Sequence, residues 1–377
     1  MAKRAAPSVL LTFLILGCAV QPTEAQQQFE SQHGPIRVVE VARGLEHPWG
    51  MAFLPDDRIL VTERPGRLRI VEKDGTLSPP VEGVPDVYAS GQGGLLDVAL
   101  DPDFAENRWV YLSYADGGRS AASTAVARGK LKGGRLTEVR RIFKQKPELR
   151  GTAHWGSRLV FARDDRLFVT TGDRQQREHA QDLSGHVGKV IRIERDGSVP
   201  PDNPFVGRAG SAPEIWSYGH RNIQGAALHP DTGALWLNEH GAKGGDEINR
   251  PEAGRNYGWP VISYGVDYSG GKIGEGTEKE GMEQPLHYWD PSIAPSGMAF
   301  YTGDKFPHWR GNALIGALKF NQLVRLELQG TEVVAEERLL KEMGERIRDV
   351  RQGPDGFVWL LTDESEGRLL RLEPVTE

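Results

Sequence analysis

The chain has 377 residues, a formal net charge of −6 at pH 7 and 26% charged residues. This length allows two ordinary domains or one large all-β domain. The slight acidic excess gives no support for a nucleic-acid partner, because proteins that bind nucleic acids usually carry a basic surplus.

The N-terminus has the pattern of an export signal, which we predict over residues 1–25. A basic start precedes a short apolar run, residues 9–16, which is too short for a membrane-spanning helix of about 20 residues. Cleavage is expected after Ala25; alternatively, the sequence ILGC resembles a lipoprotein signal in which Cys18 becomes a lipid-modified N-terminus. Cys18 is the only cysteine, so the mature chain is expected to contain no disulfide. We therefore predict an exported, periplasmic protein, either soluble or lipid-anchored.

Six segments along the chain share one pattern, in which two apolar strands flank a turn built from Pro, Asp and Gly. This pattern is typical of a hairpin between two partly buried strands. The segments begin at Pro48, Gly93, Gly156, Gln224, Ser296 and Arg348. Their spacing fits propeller blades of about 40 to 50 residues with extra loops, and no long helical period lies between them. The sequence therefore predicts an all-β, six-bladed β-propeller as a single domain over residues 36–374.

Two further predicted strands, residues 36–45 and 368–374, lie outside the six repeats. A propeller needs its first and last blades to be joined if no sheet edge is to remain free. We therefore predict that the N-terminal strand completes the last blade and closes the ring.

Polar and charged residues stand at corresponding ends of successive repeats. Because the loops at one end of a propeller channel converge, we expect these residues to share one site. They are Gln92, His154, Asp173, Arg221, Asn222, Lys319, Arg346 and Arg348. Four converging cations repel one another unless an anion lies among them, so the cluster predicts a polyanionic ligand. Arginine binds carboxylates through paired hydrogen bonds, and a histidine with a carboxylate partner suits proton abstraction near neutral pH.

Several motifs occur in a fixed order along the chain: GQGGLLDVALDPDF, HWGSRL, GHRNIQG, DEINRPEAGRNYGWP, PSIAPSGM and RIRDV. Together they resemble the soluble aldose sugar and glucose dehydrogenases, six-bladed quinoproteins that bind pyrroloquinoline quinone (PQQ) and calcium. The resemblance extends over about residues 36–374. It implies an enzyme that oxidises several aldose sugars at C1 to lactones, with hydride transferred to PQQ.

The resemblance also implies a role for each candidate residue. His154 would be the general base that takes the proton from the anomeric hydroxyl, Asp173 would orient it, and Arg221 would stabilise charge on the reduced quinone. The cofactor-binding residues would be Gln92, Arg221, Asn222, Lys319, Arg346 and Arg348. The neighbouring His220 is expected to be structural.

Calcium would be held by the main-chain carbonyls of Gly241 and Ala242, since calcium prefers oxygen ligands and glycines let carbonyls turn toward an ion. Asp246 and Glu247 either hold a second, structural calcium or only cap the loop. Trp289 either stacks on the sugar ring or is a buried core tryptophan.

Two other functions remain open at the level of the residues. A calcium-dependent propeller lactonase or esterase would use His154 to activate water, but it needs carboxylate-type metal ligands and gives the channel cations no purpose. A non-enzymatic binding propeller would have no need of the His154–Asp173 pair. The physiological electron acceptor is not indicated, because the chain has no haem-attachment motif.

Overall fold

The computed structural model describes Met1 and residues 27–375. Within that part of the chain, 24 strands form six antiparallel sheets, and the helices are a single turn long. The predicted export signal, its cleavage after Ala25 and the alternative lipid site at Cys18 all lie outside the described residues. No helix among those described is long and apolar enough to cross a membrane.

The first two strands belong to the last sheet, and each later sheet is a meander of consecutive strands. These first strands are β1 (Gln27–Phe29) and β2 (Ile36–Leu45). Blade 1 contains β3 (Pro48–Phe53), β4 (Ile59–Glu63) and β5 (Arg67–Val71). Blade 2 contains β6 (Leu95–Leu100), β7 (Trp109–Gly117), β8 (Ala122–Lys132) and β9 (Arg135–Lys144). Blade 3 contains β10 (Gly156–Phe161), β11 (Leu167–Thr171), β12 (Lys189–Ile193) and β13 (Ile215–Tyr218).

The second half of the ring repeats this plan. Blade 4 contains β14 (Ile223–Leu228), β15 (Leu235–Glu239), β16 (Asp246–Asn249) and β17 (His287–Trp289). Blade 5 contains β18 (Pro295–Phe300), β19 (Ala313–Ala317), β20 (Gln322–Gln329) and β21 (Glu332–Leu339). Blade 6 contains β22 (Ile347–Gln352), β23 (Val358–Thr362) and β24 (Gly367–Pro374), followed in space by β2 and β1. The short helices are α1 (Phe104–Asn107) and the 3₁₀ turns Arg177–Ala180, Pro307–Trp309 and Lys341–Met343.

The six-bladed β-propeller predicted from the repeats is confirmed, and so is its closure. Strand β2 pairs antiparallel with β24, with Val38 opposite Leu372 and Glu40 opposite Leu370. The N-terminal strand therefore completes the sheet that contains the C-terminal strand by covering the outer edge of β24, as we expected for a closed ring.

The innermost strand of each blade is the first strand of a sequence repeat: β3, β6, β10, β14, β18 and β22. These strands contact one another in order around a central channel. Each of them pairs with its neighbour through a register shift, an irregularity that is common beside functional sites. Because the pairs are antiparallel, the start of every innermost strand lies beside the end of the second strand. Both sets of loops therefore meet at one end of the channel.

The hydrophobic core lies between successive blades. Between blades 4 and 5, for example, Trp236 and Ile248 pack against Met298 and Ile315. Alternate residues of each strand face these layers, because side chains in a strand point to opposite faces in turn. The loops at the channel end are thus carried on a packed, closed scaffold.

Three buried charged side chains, Asp97, Arg158 and Asp349, form a network with the half-buried Arg351 on the innermost strands. The Arg158 guanidinium lies 3.2 Å from the Asp97 carboxylate and 2.9 Å from that of Asp349. Arg351 lies 3.0 Å from each of the same two carboxylates. Arg158 is 1% exposed and also donates to the Gln224 carbonyl at 2.6 Å, so the network joins blades 2, 3, 4 and 6.

Candidate active site

Two neighbouring cavities open at the channel end where the innermost strands begin. The first, which we call the basic cavity, has a volume of about 260 Å³ and is lined by five charged side chains: Arg64, Lys319, Arg346, Arg348 and Asp363. The second, the histidine cavity, has a volume of about 530 Å³ and contains His154 and Asp173. Arg221 lines the histidine cavity and the next residue, Asn222, lines the basic cavity, so the two share a wall.

The structure brings all eight side chains of the predicted cluster to these two cavities. The basic cavity contains Gln92, Asn222, Lys319, Arg346 and Arg348. The histidine cavity contains His154, Asp173 and Arg221. The convergence expected from corresponding positions in the repeats is therefore observed, whereas the role of each residue stays a prediction.

His154 and Asp173 form a hydrogen-bonded pair in the wall of the histidine cavity. The His154 Nδ1 atom lies 2.6 Å from the Asp173 Oδ1 atom. The other carboxylate oxygen of Asp173 accepts a hydrogen bond from the Trp259 indole at 2.9 Å. Three different loops therefore hold the imidazole ring in one orientation.

The ionisation of Asp173 fixes the tautomer of its partner. Burial by itself would raise the pKa of Asp173, but the hydrogen bond from His154 and the positive charge of Arg221 hold that pKa below its usual range. An ionised Asp173 accepts a hydrogen bond from the N–H at His154 Nδ1, which leaves Nε2 as the proton acceptor of the ring. This is the arrangement required of a general base.

The backbone around His154 is held in a conformation that non-glycine residues adopt rarely. His154 has φ 55° and Arg174, next to Asp173, also has φ 55°. The Arg174 guanidinium donates to the carbonyls of Gly151 and Ala153 at 2.7 and 3.0 Å and stacks on Trp155 at 3.4 Å. Together with these bonds, the Gln92 side chain accepts the His154 backbone N–H at 2.8 Å, so the loop that carries the base is held from two sides.

Asp363 lies among the cations of the basic cavity. Arg348 Nη2 donates to Asp363 Oδ2, and Arg346 lies 3.7 Å from the same oxygen. The other oxygen is 3.1 Å from His47 Nδ1 and 3.9 Å from Arg64. Burial would raise the pKa of Asp363, but the charge and hydrogen bond of Arg348 hold that pKa far below its usual range. Asp363 is therefore a permanent anion within the cluster.

His240, a further residue of the basic cavity, is neutral. Its Nε2 atom donates to the Pro295 carbonyl at 2.7 Å. Burial, assisted by the charges of Arg221 and Arg348, lowers the pKa of His240 to about 3. The cavity thus contains four cations and one carboxylate, which leaves a formal excess of three positive charges.

Several lining residues were missed by the sequence analysis: Arg64, Asp363, His240, Trp49, Trp155 and Trp259. Arg64 and Asp363 directly follow the second strands of blades 1 and 6, one residue earlier than Asp173, which is the second residue after β11 in blade 3. The comparison of equivalent strand ends that selected Asp173 would therefore have found them too. Trp259 stands inside a motif that was recognised, NYGWP, but nothing local indicates which side chain of that motif faces a cavity.

Of the three consecutive residues His220, Arg221 and Asn222, the first lies in the core and the other two line the cavities. His220 is fully buried, its Nδ1 atom 2.8 Å from Glu239 Oε1 and its Nε2 atom 2.9 Å from Ser217, and its ring stacks on Tyr257. The second oxygen of Glu239 accepts the Arg221 backbone N–H at 2.6 Å. His220 therefore orders the turn that presents Arg221 and Asn222 to the cavities.

The glycine-rich loop proposed for calcium, residues 241–245, borders the histidine cavity through Ala242. One oxygen of Asp246 accepts the Gly241 N–H at 2.8 Å. The other oxygen accepts three hydrogen bonds of 2.7 to 2.9 Å, from the Ser292 hydroxyl and from the backbone N–H groups of Ile293 and Ala294. Asp246 therefore uses both oxygens to join two loops, which supports the loop-capping interpretation for this residue.

Glu247 lies across the strand pair from Glu239. The Asn249 amide donates to both carboxylates, at 3.0 and 3.1 Å. Burial and the neighbouring Glu239 charge raise the pKa of Glu247. In residues 27–375 no group of three or more His, Cys, Asp or Glu side chains is arranged to hold a metal ion, and the second calcium stays a prediction.

Trp289 does not reach either cavity. It is 3% exposed, packs in the core between blades 4 and 5, and donates its indole N–H to Glu336 at 2.8 Å. Of our two interpretations of this residue, stacking on a sugar ring is excluded by its burial and the buried core tryptophan is the one that the packing supports.

A larger cavity, of about 930 Å³, lies between the hairpins of blades 1 and 2. It is lined by charged residues of both signs, some of which pair with one another, as Arg58 does with Asp56 and Lys130 with Glu138. None of the predicted site residues lines it. The chemistry therefore points to the two smaller cavities at the channel end.

Comparison with known proteins yields a consistent set of relatives. A family model described as Glucose / Sorbosone dehydrogenase matches residues 45–371. The aldose sugar dehydrogenase YliI of Escherichia coli (strain K12) is 50% identical over 336 residues, 88% of this chain and 91% of that protein. The apo-form crystal structure of the soluble aldose sugar dehydrogenase (Asd) from Escherichia coli is 48% identical with a TM-score of 0.88, covering 90% of this chain and 100% of that chain. The PQQ-bound aldose sugar dehydrogenase (Adh) from Streptomyces coelicolor is 32% identical with a TM-score of 0.74, covering 90% and 97%.

Proposed function

The chain belongs to the glucose/sorbosone dehydrogenase family, and on this premise we propose that it is a PQQ- and calcium-dependent dehydrogenase that oxidises aldose sugars at C1 to lactones. One observation carries the proposal. A hydrogen-bonded His154–Asp173 pair lines the histidine cavity, and this cavity shares a wall with the basic cavity, which has three excess positive charges. A base beside a strongly anion-selective cavity suits a redox reaction with a polycarboxylate cofactor.

The residues of the basic cavity fit PQQ, which carries three carboxylate groups. The excess of three positive charges matches a trianion. The Nε atoms of Arg221 and Arg348 are buried and have no hydrogen-bond partner in the described chain, so these guanidinium groups are not fully paired by the protein. Lys319, Arg346 and Arg348 would hold the carboxylates, with Gln92 and Asn222 on the side of the histidine cavity.

The histidine cavity would hold the sugar. When bound, PQQ supplies the two-electron acceptor for the hydride that leaves C1. His154 Nε2 takes the proton from the C1 hydroxyl, and Asp173 stabilises the imidazolium that results. Arg221 lies 5.1 Å above the Trp259 ring, at the wall between the two cavities, where its charge stabilises negative charge that develops during the transfer.

Calcium would be held near this wall by the carbonyl groups of Gly241 and Ala242. The loop is anchored by Asp246, and Ala242 lies in the wall of the histidine cavity. Oxygen ligands of this kind suit calcium, and a divalent cation there would polarise an oxygen of the bound cofactor. The same proposal leaves two roles for Asp246 and Glu247, which either hold a second, structural calcium or only cap the loop.

The proposed enzyme acts outside the cytoplasm, either soluble in the periplasm or anchored at Cys18. This part rests on the predicted export signal over residues 1–25. The electron acceptor that reoxidises the cofactor is a separate partner that the site does not identify.

The test is dye reduction by the purified cofactor-free protein with an aldose, with PQQ and calcium each added or omitted. We expect activity only when both are present, with several aldoses accepted. Activity with a lactone or an ester and calcium alone would instead support a propeller hydrolase. Absence of all activity together with absence of PQQ binding would leave the binding propeller as the better description.

A further inference from the structure

Arg64 is a cation of the basic cavity for which the protein provides no hydrogen-bond acceptor. Its guanidinium lies 3.9 Å from Asp363, beyond hydrogen-bonding distance, and donates no hydrogen bond within residues 27–375. The side chain is 21% exposed, so most of its surface has been removed from water. Its guanidinium is therefore free to donate to an acceptor that a ligand brings into the cavity.

The backbone of Arg64 is held in place by the neighbouring blade. The Leu95 N–H donates to the Arg64 carbonyl at 3.1 Å. Gly94 packs so closely on the same carbonyl that a Cβ at this position would come within 1.8 Å of its oxygen. Arg64 therefore enters the cavity from blade 1, next to blade 6, where Asp363 lies 3.9 Å from its guanidinium.

Asp363 is placed to keep the arginines together in the absence of a ligand. It accepts a hydrogen bond from Arg348 and lies within 4 Å of both Arg346 and Arg64. Burial, with the charges of Arg348 and Arg346, lowers the pKa of Arg64, as expected where like charges are crowded. One carboxylate cannot balance four cations, and three positive charges remain for the ligand.

We infer that Arg64 is a further ligand-binding residue, which together with Lys319, Arg346 and Arg348 makes the basic cavity a receptor for a tricarboxylate. Asp363 is its positioning residue, since it acts on the ligand only through the arginines it holds. This inference rests on the proposed function, because it extends the cofactor site by one cation.

The test compares three proteins: the parent, Arg64→Gln, and the matched control Arg58→Gln in the same blade, whose side chain pairs with Asp56 outside the cavity. The probes are PQQ with calcium and, separately, benzene-1,3,5-tricarboxylate and benzene-1,3-dicarboxylate. Binding is followed by calorimetry and by the fluorescence of Trp49 and Trp155, which line the cavity. Arg64→Gln should weaken the binding of PQQ and of the tricarboxylate about 10- to 100-fold. The dicarboxylate should be affected much less, and Arg58→Gln should bind all three as the parent does.

The outcomes separate this inference from the proposed function. If the parent binds PQQ and Arg64→Gln binds it equally well, the role of Arg64 is wrong while the proposed function stands. If the parent binds the tricarboxylate through Arg64 but does not bind PQQ, the receptor is correct and the proposed function fails. A parent protein that binds neither probe would overturn both.

Asp363→Asn tests the positioning role. Without ligand this variant should unfold at a lower temperature than the parent, because the crowded arginines lose their counter-ion. Binding of PQQ or of the tricarboxylate should then raise its unfolding temperature by more than it raises that of the parent. Equal increases in the unfolding temperatures of the two proteins would rule out Asp363 as the internal counter-ion. If Asp363→Asn fails to fold, the comparison of Arg64→Gln with the parent still tests the inference.

Discussion

Proton abstraction and cofactor binding are assigned to residues in separate cavities, so single substitutions should separate them. His154→Ala is expected to lower kcat by about a hundredfold to ten-thousandfold, since a positioned general base contributes a factor of this size. The dissociation constant for PQQ should stay within about threefold of the parent, because the cavity cations are untouched. Steady-state dye reduction gives the first quantity and calorimetry the second.

Two further variants complete this comparison. Arg348→Gln should show the opposite pattern, with weaker PQQ binding and a kcat that is largely retained once PQQ is saturating. His33→Ala changes an exposed histidine that lines neither cavity and serves as the control. Near-normal turnover by His154→Ala, or unchanged PQQ affinity in Arg348→Gln, would mean that the roles have been assigned to the wrong residues.

Lys189 offers a prediction on pH dependence. It is fully buried below the loop that lines the histidine cavity and donates to three carbonyls, those of His179, Ala180 and Val187, at 2.7 to 2.9 Å. Burial lowers the pKa of Lys189 to about 7, against about 10.4 in an unfolded chain. Between these two values the unfolded chain binds one proton more than the folded one, so this residue makes the free energy of unfolding increase as pH rises.

The contribution of Lys189 can be measured by urea unfolding at pH 7 and pH 9. The parent should gain about 2 kcal/mol over this interval relative to Lys189→Met, which has no ionisable group at this position. Lys73→Met, at an exposed site, should keep the pH dependence of the parent. If Lys189→Met and the parent respond equally to pH, the lysine is not discharged in this range.

Some residues of the candidate site could be predicted from the sequence, and others could not. His154, Asp173 and Arg348 were found because histidine, carboxylate and arginine at equivalent repeat positions already suggest chemistry. Arg64 and Asp363 carry the same kind of signal but were not selected, and their importance becomes evident only through their mutual distance. Trp289 could not be placed, because a tryptophan at the end of a three-residue strand gives no alternation from which to read its face.

At the scale of the elements, the closing strand β2 should contribute strongly to stability. Val38 is buried and pairs with Leu372 of β24 on one side and with Gln27 of β1 on the other. Val38→Pro removes a backbone N–H from a strand that is paired along both edges, and it should lower the free energy of unfolding by about 3 kcal/mol or more. Urea denaturation measures this loss.

Val38→Thr is the matched control, because it keeps both the N–H and the branched shape. It should cost roughly 1 kcal/mol from the lost apolar burial. If the proline and threonine variants are equally stable, the ring does not depend on the β2–β24 pairing.

Most of the elements could be predicted because each blade repeats a hairpin whose apolar pattern and turn residues are local features. The six repeats identify the innermost two strands of every blade, and the two unassigned strands identify the closure. The outer strands were less accessible to prediction. Blade 1 has only three strands, and in blade 4 the 37 residues between Asn249 and His287 separate β16 from β17. Pairing across such distances depends on tertiary packing and not on local sequence.

At the scale of the whole molecule, the charged network in the channel links blades that are distant in sequence. Arg158 lies between Asp97 and Asp349, and its side chain also contacts Gln224 and packs over Trp49, both of which line the basic cavity. Stability of the ring and the shape of the basic cavity therefore depend on the same buried charges. Such a network is costly to break, because removing one partner leaves another charge buried and unpaired.

Asp97→Ala tests this dependence. The change leaves Arg158 and Arg351 with one carboxylate between them, and it should lower the free energy of unfolding by about 3 to 5 kcal/mol. Asp116→Ala removes a carboxylate from a surface pair with Arg141 and should cost no more than about 1 kcal/mol. Both values come from urea denaturation of the cofactor-free protein. A loss below about 1 kcal/mol for Asp97→Ala would mean that water enters the channel and replaces the missing carboxylate, and the predicted dependence of ring stability on this network would then be wrong.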